Sequence, residues 1–262
     1  MQTRDTSSGP IPPSLTEDGF LGSRLRILQP EKGFRAGIDS VFLAAAVPCE
    51  EGQTVFEVGV GTGVAALCLA ARCRTIHVTG IEIAARHVML AQENARRNDF
   101  AAHLRVLHID AREALSSGQA AMPPRASFDH AMANPPFFEE GKSTPSPNLL
   151  KAQSHGFGPD DLGLWVRLMH AMIRPRGTVT MINRAEALGQ MLAAMEDRFG
   201  DIRVAPLFPR AGAPATRVIV QAVKGTKAPL QLLPGLVLHG EGNGFTLGAN
   251  AVLREGLAFP LR

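Results

Sequence analysis

The sequence predicts an α/β protein whose mostly parallel sheet is covered by helices on both faces. Three observations predict it. From residue 54 onward, short apolar strand-like runs alternate with amphipathic helical patterns. Glycine-rich or acidic residues punctuate the strand-to-helix junctions. No apolar run approaches the length of a membrane span, so the apolar segments belong to a water-surrounded core.

The elements follow in order. Residues 1–18 are rich in Ser, Pro and Gly, lack the apolar segment of a signal peptide, and read as a flexible leader; residues 19–262 read as a single domain. "FLGSRLRILQPEKGFRAG" (20–37) alternates around a Pro-Glu-Lys-Gly turn and predicts an N-terminal β-hairpin, followed by a short helix at 39–47. Strands are expected at 54–60, 77–83, 104–110, 128–134 and 177–183, with helices at 64–73, 84–98, 161–173 and 185–199 between or after them. A closing antiparallel pair is expected at 202–209 and 215–224, which makes seven strands. Residues 139–159 read as a long loop, and "FTLGANAVLREGLAF" as a terminal helix packing back on the sheet. Ligands of such sheets bind at the carboxyl ends of the strands.

Composition sets few limits. The three cysteines fit no metal spacing, so no metal is expected and a reducing cytoplasm is the simple location. The net charge of +3 is unevenly spread: residues 202–240 hold Arg203, Arg210, Arg217, Lys224 and Lys227 and no acid, and residues 141–159 hold Lys142 and Lys151 and no acid. Segregated positive charge suits a polyanion, or is a solvated face.

"FEVGVGTGV" places Gly59, Gly61 and Gly63 between the first parallel strand and its helix. A phosphate-cradling loop needs Gly-Lys-Ser/Thr, which is absent, and the dinucleotide fingerprint fails where Val64 replaces its last glycine. Glu57, inside the strand, suits a cationic ligand better than a pyrophosphate, and points to the ammonium and sulfonium end of S-adenosylmethionine. Glu82 ends the second strand and is placed to take both ribose hydroxyls, beside Ile83. Asp110 ends the third and is placed to accept from an adenine amino group, with the Ala111 N–H donating.

The fourth strand ends in "ANPPFF". An amino group on a base or amide is a poor nucleophile because its lone pair is delocalised, and acceptors for both N–H groups localise that pair. Asn134 offers a side-chain carbonyl and Pro135 a backbone carbonyl without a competing N–H. Pro135 and Pro136 fix the turn before substrate arrives. Phe137 offers a stacking face, and Phe138 a second ring beside it.

On these residues the chain resembles a known family. "NPPF" is similar to the Asn-Pro-Pro-aromatic motif of amino-methyltransferases. "LRILQPEKGFRAGIDSVFLAAAVP", "TPSP", "RPRGTVTMINRAE", "PLFPRAGAPATRVIVQAVKG" and "PLQLLPGLVLH" resemble the bacterial tRNA(Val) adenine-N(6) methyltransferase group. The resemblance implies a Rossmann-like class I methyltransferase fold, S-adenosyl-L-methionine as cofactor, and tRNA as substrate. It also implies that Phe34, Arg35, Ala36, Gly37 and Asp39 lie over the methionine part of the cofactor, with Phe34 as an apolar lid and Asp39 near the amino group; a plain helix N-cap is the alternative for Asp39. Phe137 departs from the commoner Tyr of the motif. Lys142, Lys151, Arg210 and Arg217 are the expected RNA contacts, positioning phosphates without reading sequence. A protein glutamine N(5)-methyltransferase shares the motif, and a small-molecule methyltransferase or a non-enzymatic adenosylmethionine-binding adaptor stand as further alternatives.

Overall fold

The computed structural model describes residues 14–33, 35–115, 121–136 and 161–261. Phe34, Phe137, Phe138, Lys142, Lys151 and the expected loop at 139–159 lie outside the described residues.

The chain starts with a hairpin of β1 (Leu15–Phe20) and β2 (Leu25–Pro30), paired antiparallel from Leu15 opposite Pro30 to Phe20 opposite Leu25. This corrects two expectations. The turn is at 21–24, where Leu21, Gly22 and Ser23 all take positive φ, and not at Pro-Glu-Lys-Gly. The first strand also takes residues 15–18 from the expected leader. The physical reason is that β1 is held by charge instead of apolar alternation. Glu17 receives Arg26 and Arg97 at 3.2 and 2.6 Å, and Asp18 receives Gln29 and Arg35 at 2.8 and 2.5 Å.

After α1 (Ile38–Ala46) the alternating unit begins: β3 (Thr54–Val58), α2 (Val64–Arg72), β4 (His77–Glu82), α3 (Ala85–Arg97), β5 (Leu104–His108), α4 (Ala111–Ala114) and β6 (Phe128–Ala133). Then come α5 (Asp161–Met172), β7 (Ile173–Arg184), a single 3-10 turn at Ala185–Ala187, α6 (Leu188–Met195), β8 (Phe199–Arg210) and β9 (Arg217–Lys224). Two short strands, β10 (Gln231–Leu232) and β11 (Leu236–His239), and α7 (Leu247–Leu253) complete the described chain.

The main sheet has nine strands among the described residues, in the order β10-β8-β9-β7-β6-β3-β4-β5, with β11 also on β8. Strands β3 to β7 are mutually parallel, and β9 runs antiparallel between β7 and β8. Seven of these are the expected strands; β10 and β11 extend the β8 edge. They are too short to carry a period that a sequence reading detects.

Each face of the sheet buries its own core. One holds α1, α2, α3, the hairpin and α7 around Ile27, Phe42, Leu43, Leu67 and Leu69; the other holds α4, α5 and α6 around Phe56, Leu168, Met169 and Met172. Leu21, Leu25 and Ile27 of the hairpin enter the first core, which seats the hairpin against α2 and α3. Cys49, Cys68 and Cys73 are free and buried, and burial with the Cys73 bond pushes the Cys49 thiol up to about 12, so it is a poor nucleophile. No described helix is long and apolar enough to cross a membrane, and no described group of His, Cys, Asp and Glu could hold a metal.

Candidate active site at the carboxyl edge of the sheet

Strand register assembles the site. Val58 lies opposite Ile81 on one side and Ala133 on the other, so the residues that follow them, Gly59, Glu82 and Asn134, stand side by side at one edge. Glu82 lies opposite His108, which brings Asp110 to the same edge. The glycine turn is tied down there: the Gly59 and Val60 N–H groups both donate to the Ile81 carbonyl at 3.0 Å.

The first glycine is required by packing. A Cβ on Gly59, whose φ is +73°, would stand 2.4 Å from the Trp165 ring of α5. A core tryptophan thus lies under the turn at Gly59 and leaves no room for a side chain there. Gly61 donates its N–H to Glu82 Oε2 at 2.9 Å, and Gly63 caps α2 in the left-handed region at φ +88°.

Glu82 holds the second side of the turn. Its two oxygens accept from Gly61 and Ala84 N–H, and His87 stands 3.8 Å away. Burial works against its ionisation, but His87 and these N–H donors outweigh it and hold the carboxyl below the usual range. An ionised carboxylate in this pose keeps lone pairs for two hydroxyl donors. Ile83, next in sequence, is 43% exposed and presents an apolar surface beside it. Asp110 caps α4, its Oδ1 accepting from Arg112 N–H at 2.9 Å, so the expected adenine contact shares this carboxylate with a helix N-terminus.

Glu57 is 3% exposed and lies on the α2 side of the sheet, near the Ala66 N–H in the first turn of the helix. Its Oε2 has no hydrogen-bond partner. Burial first, and then the charge of Glu82, push this carboxyl well above its ordinary range. Thr62 Oγ1 and Asn134 Oδ1 are likewise buried without a partner. Three unpaired buried oxygens thus lie on or beside the turn, where buried polar atoms are normally satisfied. All three accept hydrogen bonds. That acceptor set fits adenosylmethionine, which brings the N–H donors of an ammonium and the O–H donors of a ribose.

The segment before α1 approaches from the hairpin. Gln29, 1% exposed, grips Ala36 twice: it accepts from Ala36 N–H at 2.8 Å and donates to its carbonyl at 3.2 Å. Arg35 is fastened to Thr16, the Pro30 carbonyl and Asp18 at 2.6, 2.8 and 2.5 Å. Gly37 is the N-cap of α1 and Asp39 falls in its first turn, where the side-chain cap expected of an alternative Asp39 role is absent. Asp39 Oδ2 instead accepts from Arg217 Nε at 2.8 Å, so an expected cofactor contact and an expected RNA contact bond to each other.

The basic segment is largely engaged within the protein. Arg203 pairs with Asp201, and Arg210 donates to the Gly240 and Gly242 carbonyls at 2.9 and 2.6 Å. Lys224 donates to the His170 and Ile173 carbonyls at 2.7 and 2.9 Å. These cations serve the fold first, which an acid-free stretch of sequence does not reveal. Sequence reasoning also passed over Trp165, Gln29 and Asn94; the amides carry no motif, though Asn94 in the last turn of α3 and Asn98 at its C-cap stand four residues apart.

Comparison with known proteins agrees with this architecture. The methyltransferase small domain family matches residues 35–151. The tRNA1(Val) (adenine(37)-N6)-methyltransferase of Actinobacillus succinogenes is 26% identical over 91% of this chain and 96% of its own length. That of Shewanella sediminis is 27% identical over 63% of this chain, and that of a Flavobacteriaceae bacterium 30% identical over 47%. The chain spans 66% and 50% of the length of these last two relatives. Among solved structures, a predicted O-methyltransferase from Agrobacterium tumefaciens matches with TM-score 0.70 at 25% identity, over 85% of this chain and 98% of its own. The tRNA (m1A58) methyltransferase of Aquifex aeolicus matches with TM-score 0.53 at 15% identity, over 76% and 73%. The strand order, the glycine turn and these structural neighbours show the class I methyltransferase fold, and the likeness to the methyltransferase small domain family lies within residues 35–151.

Proposed function

We propose that this chain is an S-adenosylmethionine-dependent methyltransferase that methylates the exocyclic N6 amino group of an adenosine in tRNA, in the cytoplasm. The observation that carries the reading is Asn134: its Oδ1 is buried at the carboxyl end of β6, beside the glycine turn, and accepts nothing. A buried acceptor left open costs about 1–3 kcal/mol. A substrate N–H would satisfy it.

Glu82 and Ile83 would hold the ribose and one face of the adenine of the cofactor, Asp110 and Ala111 its base edge, and Glu57 with the turn of 59–63 its amino-acid end. When bound, adenosylmethionine supplies a methyl group on a positively charged sulfur. The chain's own residues prepare the acceptor. Asn134 Oδ1 and the Pro135 carbonyl take the two N–H groups of the target amine, which localises its lone pair and fixes its direction. Neither Pro135 nor Pro136 has an N–H to compete, and their fixed φ holds the acceptors in place beforehand. The nitrogen gains the methyl and gives one proton to solvent, so no side-chain base is needed. Phe137 and Phe138 would stack on the flipped base, and Lys142, Lys151, Arg210 and Arg217 would meet tRNA phosphates. Arg210 and Arg217 do so only by sharing their intramolecular bonds.

The likeness to a predicted O-methyltransferase favours a second reading, transfer to a hydroxyl of a small molecule. A hydroxyl has one proton and so cannot satisfy two carbonyl acceptors, which weighs against it. One assay separates these readings. Purified protein, tritiated adenosylmethionine and total tRNA from a strain lacking the gene should yield labelled N6-methyladenosine. Label confined to protein would instead support glutamine methylation, and label in neither polymer would support a small acceptor.

A further inference from the structure

We propose that Asn94 is a positioning residue for the cofactor: its buried amide ties the glycine turn to the N-terminal hairpin, so that both sides of the cofactor site keep one geometry. The proposal rests on the adenosylmethionine reading above.

Asn94 is 0% exposed in the last turn of α3. Its Oδ1 accepts from Leu28 N–H at 2.7 Å, and its Nδ2 donates to the Leu28 carbonyl at 3.0 Å and to the Thr62 carbonyl at 2.9 Å. These partners fix the orientation of the amide, because an N–H requires the oxygen and carbonyls require the nitrogen. Leu28 lies in β2 and Thr62 in the glycine turn. One side chain thus bonds two segments that are 34 positions apart and share no ladder.

The arrangement repeats one helical turn on. Asn98 accepts from Arg26 N–H and donates to the Arg26 carbonyl, both at 2.9 Å. Residues four apart lie on one helix face, and alternate strand residues point the same backbone groups outward. The two asparagines therefore complete the free edge of β2 as a second strand would. Asn98 reaches only the hairpin and its own helix, at Asn94 O. Asn94 alone reaches the turn.

The far side of β2 completes the link. Gln29 follows Leu28 and grips Ala36 through both backbone groups. A displacement of the turn is therefore carried through Asn94 and β2 to the segment entering α1. Neither amide needs to touch the cofactor for its affinity to depend on them.

The test measures adenosylmethionine affinity by titration calorimetry, with thermal unfolding, for the wild type and for Asn94→Ala, Asn98→Ala and Gln29→Leu. Both asparagine variants should unfold at lower temperature. Asn94→Ala should weaken adenosylmethionine binding about tenfold, the loss expected for freeing a buried carbonyl beside the ligand, while saturating cofactor restores wild-type kcat. Asn98→Ala should keep affinity within about threefold. Hydrogen exchange adds a readout that stability alone does not move: in Asn94→Ala, cofactor should still protect 59–63 but no longer 35–39. Equal loss of affinity in both asparagine variants, or none in Asn94→Ala, overturns the proposal. Should Asn94→Ala fail to fold, Gln29→Leu decides: an unchanged affinity there overturns it as well. A wild type that binds no adenosylmethionine defeats the functional reading instead.

Discussion

The two ends of strands β3, β6 and β7 are finished in opposite ways. At the amino end, His130 is buried with both ring nitrogens bonded, to Thr178 Oγ1 and Gln53 Oε1 at 2.8 Å. Beside it, Asp129 accepts from the Thr54 N–H and hydroxyl at 2.7 and 2.9 Å and pairs with Arg174 at 2.6 Å. At the carboxyl end, Glu57, Thr62 and Asn134 each leave a buried oxygen unpaired. The same sheet spends its polar groups on stability at one end and withholds them at the other. Open buried acceptors are tolerated where a ligand completes them.

The largest expected effect comes from Asn134→Ala. It should lower kcat about 10²–10³-fold, the range for removing one preorganised partner of the reacting group, with adenosylmethionine affinity kept. Stability should hold or rise, because an unsatisfied acceptor is removed. A clear fall in stability would mean the two ends do not differ as described.

Next comes the pH response of the other end. Burial, ahead of the opposing Asp129 charge, pulls the His130 pKa down to about 4 from an ordinary 6.5. The folded state therefore favours the neutral ring, and unfolding takes up a proton below pH 6.5. The stabilisation is full above that value and is lost as the pH falls towards 4, by roughly 3 kcal/mol in all. Glu57, raised in the folded state, contributes in the opposite direction, so the measurement is a difference. Urea unfolding of wild type and His130→Phe should show their stability gap shrinking over that window. Turnover at pH 7.5 should be alike in both.

A smaller effect belongs to Glu57. Its raised pKa means that a cation bound nearby drives off its proton, so cofactor affinity should rise with pH. Glu57→Gln should weaken adenosylmethionine about tenfold, a single pKa unit of interaction, and flatten that pH dependence. The smallest effect is at Arg210, which is committed to the loop at 240–242. Arg210→Ala should lower the salt dependence of tRNA binding by less than about one phosphate contact.

The parallel unit was legible because each strand and helix carries its own period: β3 to β7 begin within a few residues of their expected starts. The hairpin was found with its turn misplaced, since Pro-Glu-Lys-Gly is a stronger local turn signal than Leu-Gly-Ser-Arg, and β1 has charges where a strand usually alternates. Its partners Arg97 and Arg35 lie far off in sequence or past the turn. Glu82, Asp110 and Asn134 were legible as a set because strand ends converge. The double duty of Asp39 and Arg217, separated by most of the chain, was not, nor was the tryptophan that explains Gly59. Contacts between distant segments leave no periodic trace.

The most direct measurement is diffraction from crystals grown with adenosylmethionine. The account predicts the ribose hydroxyls on Glu82 and the transferable methyl aimed at the amide of Asn134. A methyl turned away from that side chain, or a ligand bound anywhere but the glycine turn, would contradict it.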